Sequence, residues 1–206
     1  MTDSMPPPDK ASLLARVKPH RVSWDPAFRP PGVQPAGPGE ESVWDYPRPP
    51  IVAPAPGAVR VMCGKLLVAE TTRALEVKET AGAPVPYLPP EDVRTDWLSA
   101  NGDWSVCEWK GAAAGHDLLL PSGERIADAA WTYPDPFDDL AEGYAAIASW
   151  FAFYPARLAC FIRVDEGCSG GGRWERARPQ PGGVYGGWVT GRIKGPVKGA
   201  PGSEGW

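Results

Sequence analysis

Glu108 and Lys110 stand two residues apart in WSVCEWKG (104–111), an acid and a base inside a stretch that otherwise reads as a buried strand. Alternate side chains of a strand share a face. Trp104, Val106, Glu108 and Lys110 are therefore expected together, with Ser105, Cys107 and Trp109 opposite. Apolar residues on both sides mark a central strand covered on both faces. The two charges would lie ~6–7 Å apart and attract by about 2–3 kcal/mol at an effective dielectric of about 20, enough to move a pKa. That arrangement suits general acid–base chemistry, with Glu108 moving a proton and Lys110 tuning it or holding an anion. The alternative is a solvated edge pair worth under about 1 kcal/mol.

Other polar residues break apolar patterns in the same way. Glu79 continues the face of Leu75 and Val77 in ALEVKE (74–79), and Arg73, just before it, could pair with Glu79 or Glu108. A buried structural salt bridge is the competing account of both. Tyr87, Tyr133 and Tyr154 each end a strand beside a proline, in YLPP, YPDP and YPAR. Strand-end tyrosines either cap a core or line a pocket mouth. With Trp109 and Trp131 they would form an aromatic cage for a cation or a planar ring. The candidate catalytic residues are thus Glu108 and Lys110. The candidate ligand-binding residues are Arg73, Glu79, Tyr87, Trp109, Trp131, Tyr133 and Tyr154.

Several chemistries lack their residues. Tetrahedral zinc wants four Cys or His ligands at short paired spacings, whereas Cys63, Cys107, Cys160 and Cys168 are scattered and the only histidines are His20 and His116. No metal or other cofactor is expected. A cysteine nucleophile needs a base in reach, and His116 is the only candidate partner for Cys107, which otherwise reads as a small buried residue. The chain has no G-x-S-x-G elbow, Walker loop or G-x-G-x-x-G.

The elements that must position these residues are short strands. VRVMC (59–63) alternates and returns through Gly64-Lys65 into LLVAETT (66–72), a hairpin. ALEVKE alternates again. PPEDVRTDWL (89–98) opens a helical turn with acids at its positive end. Asn101-Gly102-Asp103 is a turn into the strand 104–110. AGHDLLL (114–120) and ERIADAAWTY (124–133) form another hairpin, PDPFDDLAEGY (134–144) is a loop, and SWFAFY (149–154) and RLACFIRV (157–164) close the core. Many short strands separated by turns predict an all-β domain.

Composition divides the rest. Fourteen of the 26 prolines fall in residues 1–56, which excludes regular sheet or helix over most of that span. Residues 1–40 read as a Pro-rich, extended or disordered arm, with a turn of helix at Leu13, Leu14 and Val17. Residues 41–206 read as one domain, in which 58–166 form the β core and 41–57 and 175–206 wrap it. Thirteen of the 24 glycines lie in residues 167–206, including SGGG (169–172), read as a flexible loop. Tyr185, Trp188 and Trp206 should anchor the C-terminal arm. The net charge is −4, which argues against nucleic acid as a partner even though Arg192, Lys194 and Lys198 make the last arm locally basic. No apolar run is long enough to span a bilayer. With no secretory signal and no paired cysteines, the expected location is cytoplasmic. Oligomeric state is not legible.

Seven stretches resemble the bacterial family called domain of unknown function 427: ESVWDYPRPP (41–50), TTRALEVKET (71–80), YLPPEDV (87–93), CEWKG (107–111), AAWTYPDP (129–136), FAFYPAR (151–157) and PQPGGVYGGWVTGRIKGPVKGAPGSEGW (179–206). The resemblance implies a β-tent-like fold, similar to methionine sulfoxide reductase B and the thalidomide-binding domain of cereblon, with two antiparallel sheets leaning together. Relatives of that fold often carry a zinc pin; this chain lacks the paired ligands. A nucleotidyltransferase label is sometimes attached to the family, yet the chain has no D-x-D to hold magnesium. The family brings no established catalytic residues. The function expected is binding of a small molecule beside Glu108 and Lys110, with or without acid–base chemistry. The alternative is a peptide or protein module using an aromatic groove.

Overall fold

The computed structural model describes residues 8–21, 25, 27–140, 143–164, 172–204 and 206. Cys168 and most of the SGGG loop lie outside the described residues. Among these residues one α-helix, α1 (Lys10–Val17), precedes fifteen strands: β1 (Glu41–Ser42), β2 (Ile51–Pro54), β3 (Val59–Cys63), β4 (Leu66–Thr71), β5 (Leu75–Lys78), β6 (Val85–Tyr87), β7 (Leu98–Cys107), β8 (Gly111–Leu119), β9 (Arg125–Thr132), β10 (Ala152–Phe153), β11 (Ala159–Val164), β12 (Arg173–Arg176), β13 (Arg178–Pro179), β14 (Trp188–Val189) and β15 (Ile193–Lys194). The protein is all-β, as the alternation predicts.

Two four-stranded antiparallel sheets, ordered β10-β9-β8-β7 and β12-β11-β3-β4, carry the core. Val59, Val61, Val68, Cys160 and Ile162 from one pack with Leu118, Ala129, Ala130 and Phe153 from the other. Alternation puts these residues on the inner faces, and their burial supplies the main driving force for the pairing. A third sheet, ordered β2-β5-β6, was not anticipated; its strands are antiparallel.

The flanks wrap this core. β1 pairs in parallel with β15, so Glu41 meets Ile193 across most of the chain. Trp44 packs with Ala81, Ala83 and Ile193 and donates its indole N–H to Pro196 O at 2.8 Å. Trp188 donates from its indole to Phe153 O at 3.0 Å. The N-terminal arm is more ordered than its prolines suggest over its described part. Asp9 caps α1 by accepting from Ser12 N at 2.8 Å, a standard way to satisfy a free helix amide. Leu13 and Val17 then bury against Phe137.

The opening stretch is corrected by the structure. β7 runs from Leu98 to Cys107, and Asn101-Gly102-Asp103 is a register irregularity inside it rather than a turn before it. Glu108, Trp109 and Lys110 form the hairpin turn itself, closed by the Cys107–Gly111 pair. Gly111 adopts a φ of 107°, open to glycine and strained for other residues. Nor is the strand central: β7 is a sheet edge, and Val106 is 45% exposed.

Candidate functional site

The three-stranded sheet, the β7–β8 turn, β9 and the C-terminal arm border a half-open cavity of about 370 Å³. Val77 and Tyr87 come from β5 and β6, and Glu79 from the loop between them. Cys107, Glu108 and Lys110 border it from the turn, and Trp131, Tyr133 and Tyr154 from β9 and the segments after β9 and β10. Gln180, Tyr185, Gly186 and Lys198 close it from the arm. The volume lies at the lower end of the range for small-molecule sites.

Of the nine residues singled out from sequence, Glu79, Tyr87, Glu108, Lys110, Trp131, Tyr133 and Tyr154 line this one cavity. Two do not. Arg73 is exposed at the surface, where it pairs with Asp92 at 3.0 Å and Glu91 at 3.8 Å instead of Glu79 or Glu108. Trp109 is buried beneath Arg21, whose guanidinium lies 5.3 Å from the indole centroid. Arg21 also donates to Glu108 O at 2.6 Å and pairs with Asp139 at 2.7 Å. Trp109 therefore anchors the turn that carries Glu108 and Lys110. Because those two occupy a turn, they do not share a strand face as predicted.

Lys110 is 8% exposed. Among the described residues its ammonium makes no hydrogen bond or ion pair; its nearest aromatic neighbour is the Tyr133 ring, 5.8 Å from Nζ. Burial works against its charge, but the negative potential available from Cys107, Tyr133, Tyr87 and Glu79 outweighs burial and holds its pKa above the ordinary lysine value. It remains an ammonium at neutral pH.

Glu79 faces it with a partner of its own. Its carboxylate accepts from Lys198 Nζ at 2.9 Å and lies 3.7 Å from Arg48. Burial disfavours its charge, but Lys198, Lys110 and Arg48 prevail and hold it below the usual carboxylate range. Glu108 has a single side-chain contact among the described residues, with the Cys107 thiol at 3.8 Å.

The tyrosines are neutral donors. Burial pushes Tyr87 up to about 12, even against Lys110 and the Trp131 hydrogen bond. Burial also raises Tyr133 and Tyr154. Tyr87 accepts from Trp131 Nε1 at 3.3 Å, and Trp131 packs against Tyr154 with centroids 4.3 Å apart and the rings tilted by 43°.

The cap over the aromatic wall depends on two glycines. A methyl on Gly186 would overlap the Trp131 indole, and one on Gly187 would overlap Gln180 Oε1 and Ala83 O. Gln180, buried, accepts from Ala83 N at 2.9 Å and donates to Lys198 O at 3.1 Å, tying the arm to the loop after β5.

Sequence reading missed Glu76. It is 1% exposed, bonded by Arg192, and 3.7 Å from Lys78. Arg192 also bonds Glu41, which accepts from Lys78 and Tyr46. The locally basic arm is thus turned inward: Arg192 to Glu41 and Glu76, Lys198 to Glu79, Lys194 to Glu40 at 2.8 Å. His116 cannot serve Cys107. It sits five residues beyond Gly111, the strand partner of Cys107, roughly 17 Å along β8. Among the described residues no three His, Cys, Asp or Glu side chains converge to hold a metal, and no helix is long and apolar enough to cross a membrane.

Residues 51–166 match the family described as domain of unknown function (DUF427). The chain belongs to this family. No curated protein matches the sequence. The DUF427 match spans the seven cavity residues from Glu79 to Tyr154, whereas Gln180, Tyr185, Gly186 and Lys198 lie downstream of it.

Proposed function

We propose that this DUF427 chain binds a small molecule in the cavity between β5, β9 and the C-terminal arm. The observation that carries the reading is the convergence of polar and aromatic groups from four separate parts of the chain on one half-open cleft. A satisfied core would have filled that space with apolar side chains. If binding leads to reaction, Glu108 is the proton-transfer group, since it borders the cavity and its carboxylate has no ion-pair partner among the described residues. Glu108→Gln would then abolish turnover while leaving binding intact. The proposed setting is the reducing cytoplasm, in keeping with the free thiols of Cys63, Cys107 and Cys160.

A thermal-shift screen of metabolites tests the binding. A ligand at a hundred times its Kd adds about 2.7 kcal/mol, a rise of roughly 5–10 °C for a chain of this size. Ser105, exposed on β7 at the cavity wall, offers a control: Ser105→Trp should block the space without disturbing the core. Hits that disappear in that variant support the reading; hits that persist, or none at all, overturn it.

One observation favours a second reading, peptide binding by strand addition. Consecutive residues of β7 from Asp103 to Cys107 border this cavity and an adjoining one of about 540 Å³, so the strand that ends the sheet among the described residues runs beside both. An extended peptide could pair with that edge. Loss of amide exchange at residues 103–107 on adding a peptide would support it.

A further inference from the structure

Three hydrogen-bond donors that border the cavity have no acceptor among the described residues. Lys110 Nζ has no acceptor among the described residues, although the residue is more than nine-tenths buried. Tyr133, 5% exposed, makes no hydrogen bond through its hydroxyl there. The Tyr87 hydroxyl already accepts from Trp131 Nε1, so its own proton points elsewhere, and it too lacks an acceptor. The three are neighbours: the Tyr87 and Tyr133 rings are 6.2 Å apart, and Nζ is 5.8 Å from the Tyr133 centroid. Buried donors are normally satisfied, and a buried charge normally has a counter-charge. Lys110, Tyr87 and Tyr133 border the cavity, and none of their donor atoms is sealed in protein without a partner; they open onto a space where a ligand can supply the acceptors and the counter-charge.

We infer that Lys110, Tyr87 and Tyr133 form an oxyanion site, and that the ligand is a monoanionic carboxylate carried on a planar or apolar body. This rests on the small-molecule reading and narrows it. The monoanion follows from charge. Lys198 is neutralised by Glu79 at 2.9 Å, leaving one unpaired cation, while Glu108 stands in the same cavity and would repel a second negative charge. The body follows from the wall beyond the donors, where Trp131, beneath the arm at Gly186, packs against Tyr154. Flat rings are bound well by such surfaces.

Four probes that differ only in their head group separate the possibilities: benzoate, benzamide, benzylamine and phenyl phosphate, each titrated into the full chain by ligand-observed NMR and thermal shift. Benzoate should bind best, with phenyl phosphate, benzamide and benzylamine all weaker. Lys110→Met should reduce benzoate affinity by about 30-fold or more, the usual consequence of truncating one partner of a buried charge pair. Tyr133→Phe should reduce it less. The same Lys110→Met should lower the melting temperature of the unliganded chain far less than Lys198→Met does, because Lys110 has no direct ion-pair partner among the described residues.

The outcomes are distinct. If benzamide or benzylamine binds as well as benzoate, or Lys110→Met leaves benzoate binding unchanged, the oxyanion site is wrong and the small-molecule reading stands. If phenyl phosphate binds best, the monoanion is wrong. If Lys110→Met melts at lower temperature by as much as Lys198→Met, Lys110 is a structural counter-ion for Glu79 and the inference fails. Binding of none of the four at millimolar concentration, together with an empty metabolite screen, removes the cavity reading itself.

Discussion

Glu79 and Lys198 meet at 2.9 Å, joining the loop after β5 to an arm 119 positions further along the chain. Neither side chain is more than 17% exposed. The contact fixes one wall of the cavity against another, so the shape of the site depends on an ion pair that closes late in the sequence.

Removing one partner of that pair leaves the other uncompensated. Lys198→Met is expected to cost about 3–5 kcal/mol, the range for a broken buried ion pair, and to loosen the arm over Trp131. Urea denaturation gives the first quantity, and amide exchange across 184–188 gives the second.

Acid should unfasten the same contacts. Glu79 and Glu41 both hold folded-state values below the ordinary 4.5, Glu79 through Lys198, Lys110 and Arg48 and Glu41 through Lys78, Arg192 and Tyr46, in each case against burial. Their contribution is complete above that value and is lost as pH falls through the lower, folded-state values. The melting temperature should therefore drop steeply on acidification below about 4.5. Lys198→Met should flatten that drop.

Glu76 behaves in the opposite sense. Burial dominates there and raises its carboxyl despite Arg192 and Lys78. A raised folded-state value means that ionising the group subtracts stability as pH climbs through it. Glu76→Gln should accordingly be neutral or stabilising at neutral pH, whereas Arg192→Met, which strands the charge, should cost about 3–5 kcal/mol. Equal destabilisation by the two variants would contradict this account.

Gly186 allows the arm to pass over the Trp131 indole. Gly186→Ala should displace the arm at a cost of roughly 1–3 kcal/mol, typical of overpacking. Chemical denaturation and faster amide exchange at Trp188, whose N–H bonds Pro84 O at 2.9 Å, would register it.

Arg21 holds the β7–β8 turn through Glu108 O, Asp139 and the Trp109 face. Arg21→Ala should weaken benzoate binding several-fold without altering any residue that lines the cavity. An unchanged affinity would show that the turn is rigid without its clamp.

Much of this architecture is legible from residues alone. Val59 and Val61 alternate inward in a hairpin closed at Gly64, and both are fully buried on β3. Pro89 and Pro90 announce the 3-10 turn at Pro90–Asp92. The tyrosines beside prolines, Tyr87, Tyr133 and Tyr154, line the cavity at or just beyond the ends of β6, β9 and β10. The turn at Glu108–Lys110 is less legible: Trp104 and Val106 alternate strongly enough to carry a strand reading past Cys107. The signal against it was Gly111, whose positive φ closes a three-residue hairpin loop. Glu76 was beyond reach. Leu75 and Val77 mark one face of β5, but β5 is the middle strand of its sheet and is covered on both sides. Its counter-charge, Arg192, lies 116 residues away, and no local pattern encodes a partner at that distance.

The aromatic floor and its cover come from distant stretches, with Trp131 on β9 and Gly186 beyond β13. The central sheets can assemble from hairpins, whereas the cover must wait for a long-range closure, which is slow. Until that closure, Trp131 lacks the cover that Gly186 gives it, which leaves apolar surface open to association. Heterologous production should therefore yield more native material under slow synthesis at low temperature, and conditions that hurry the chain should send it into inclusion bodies.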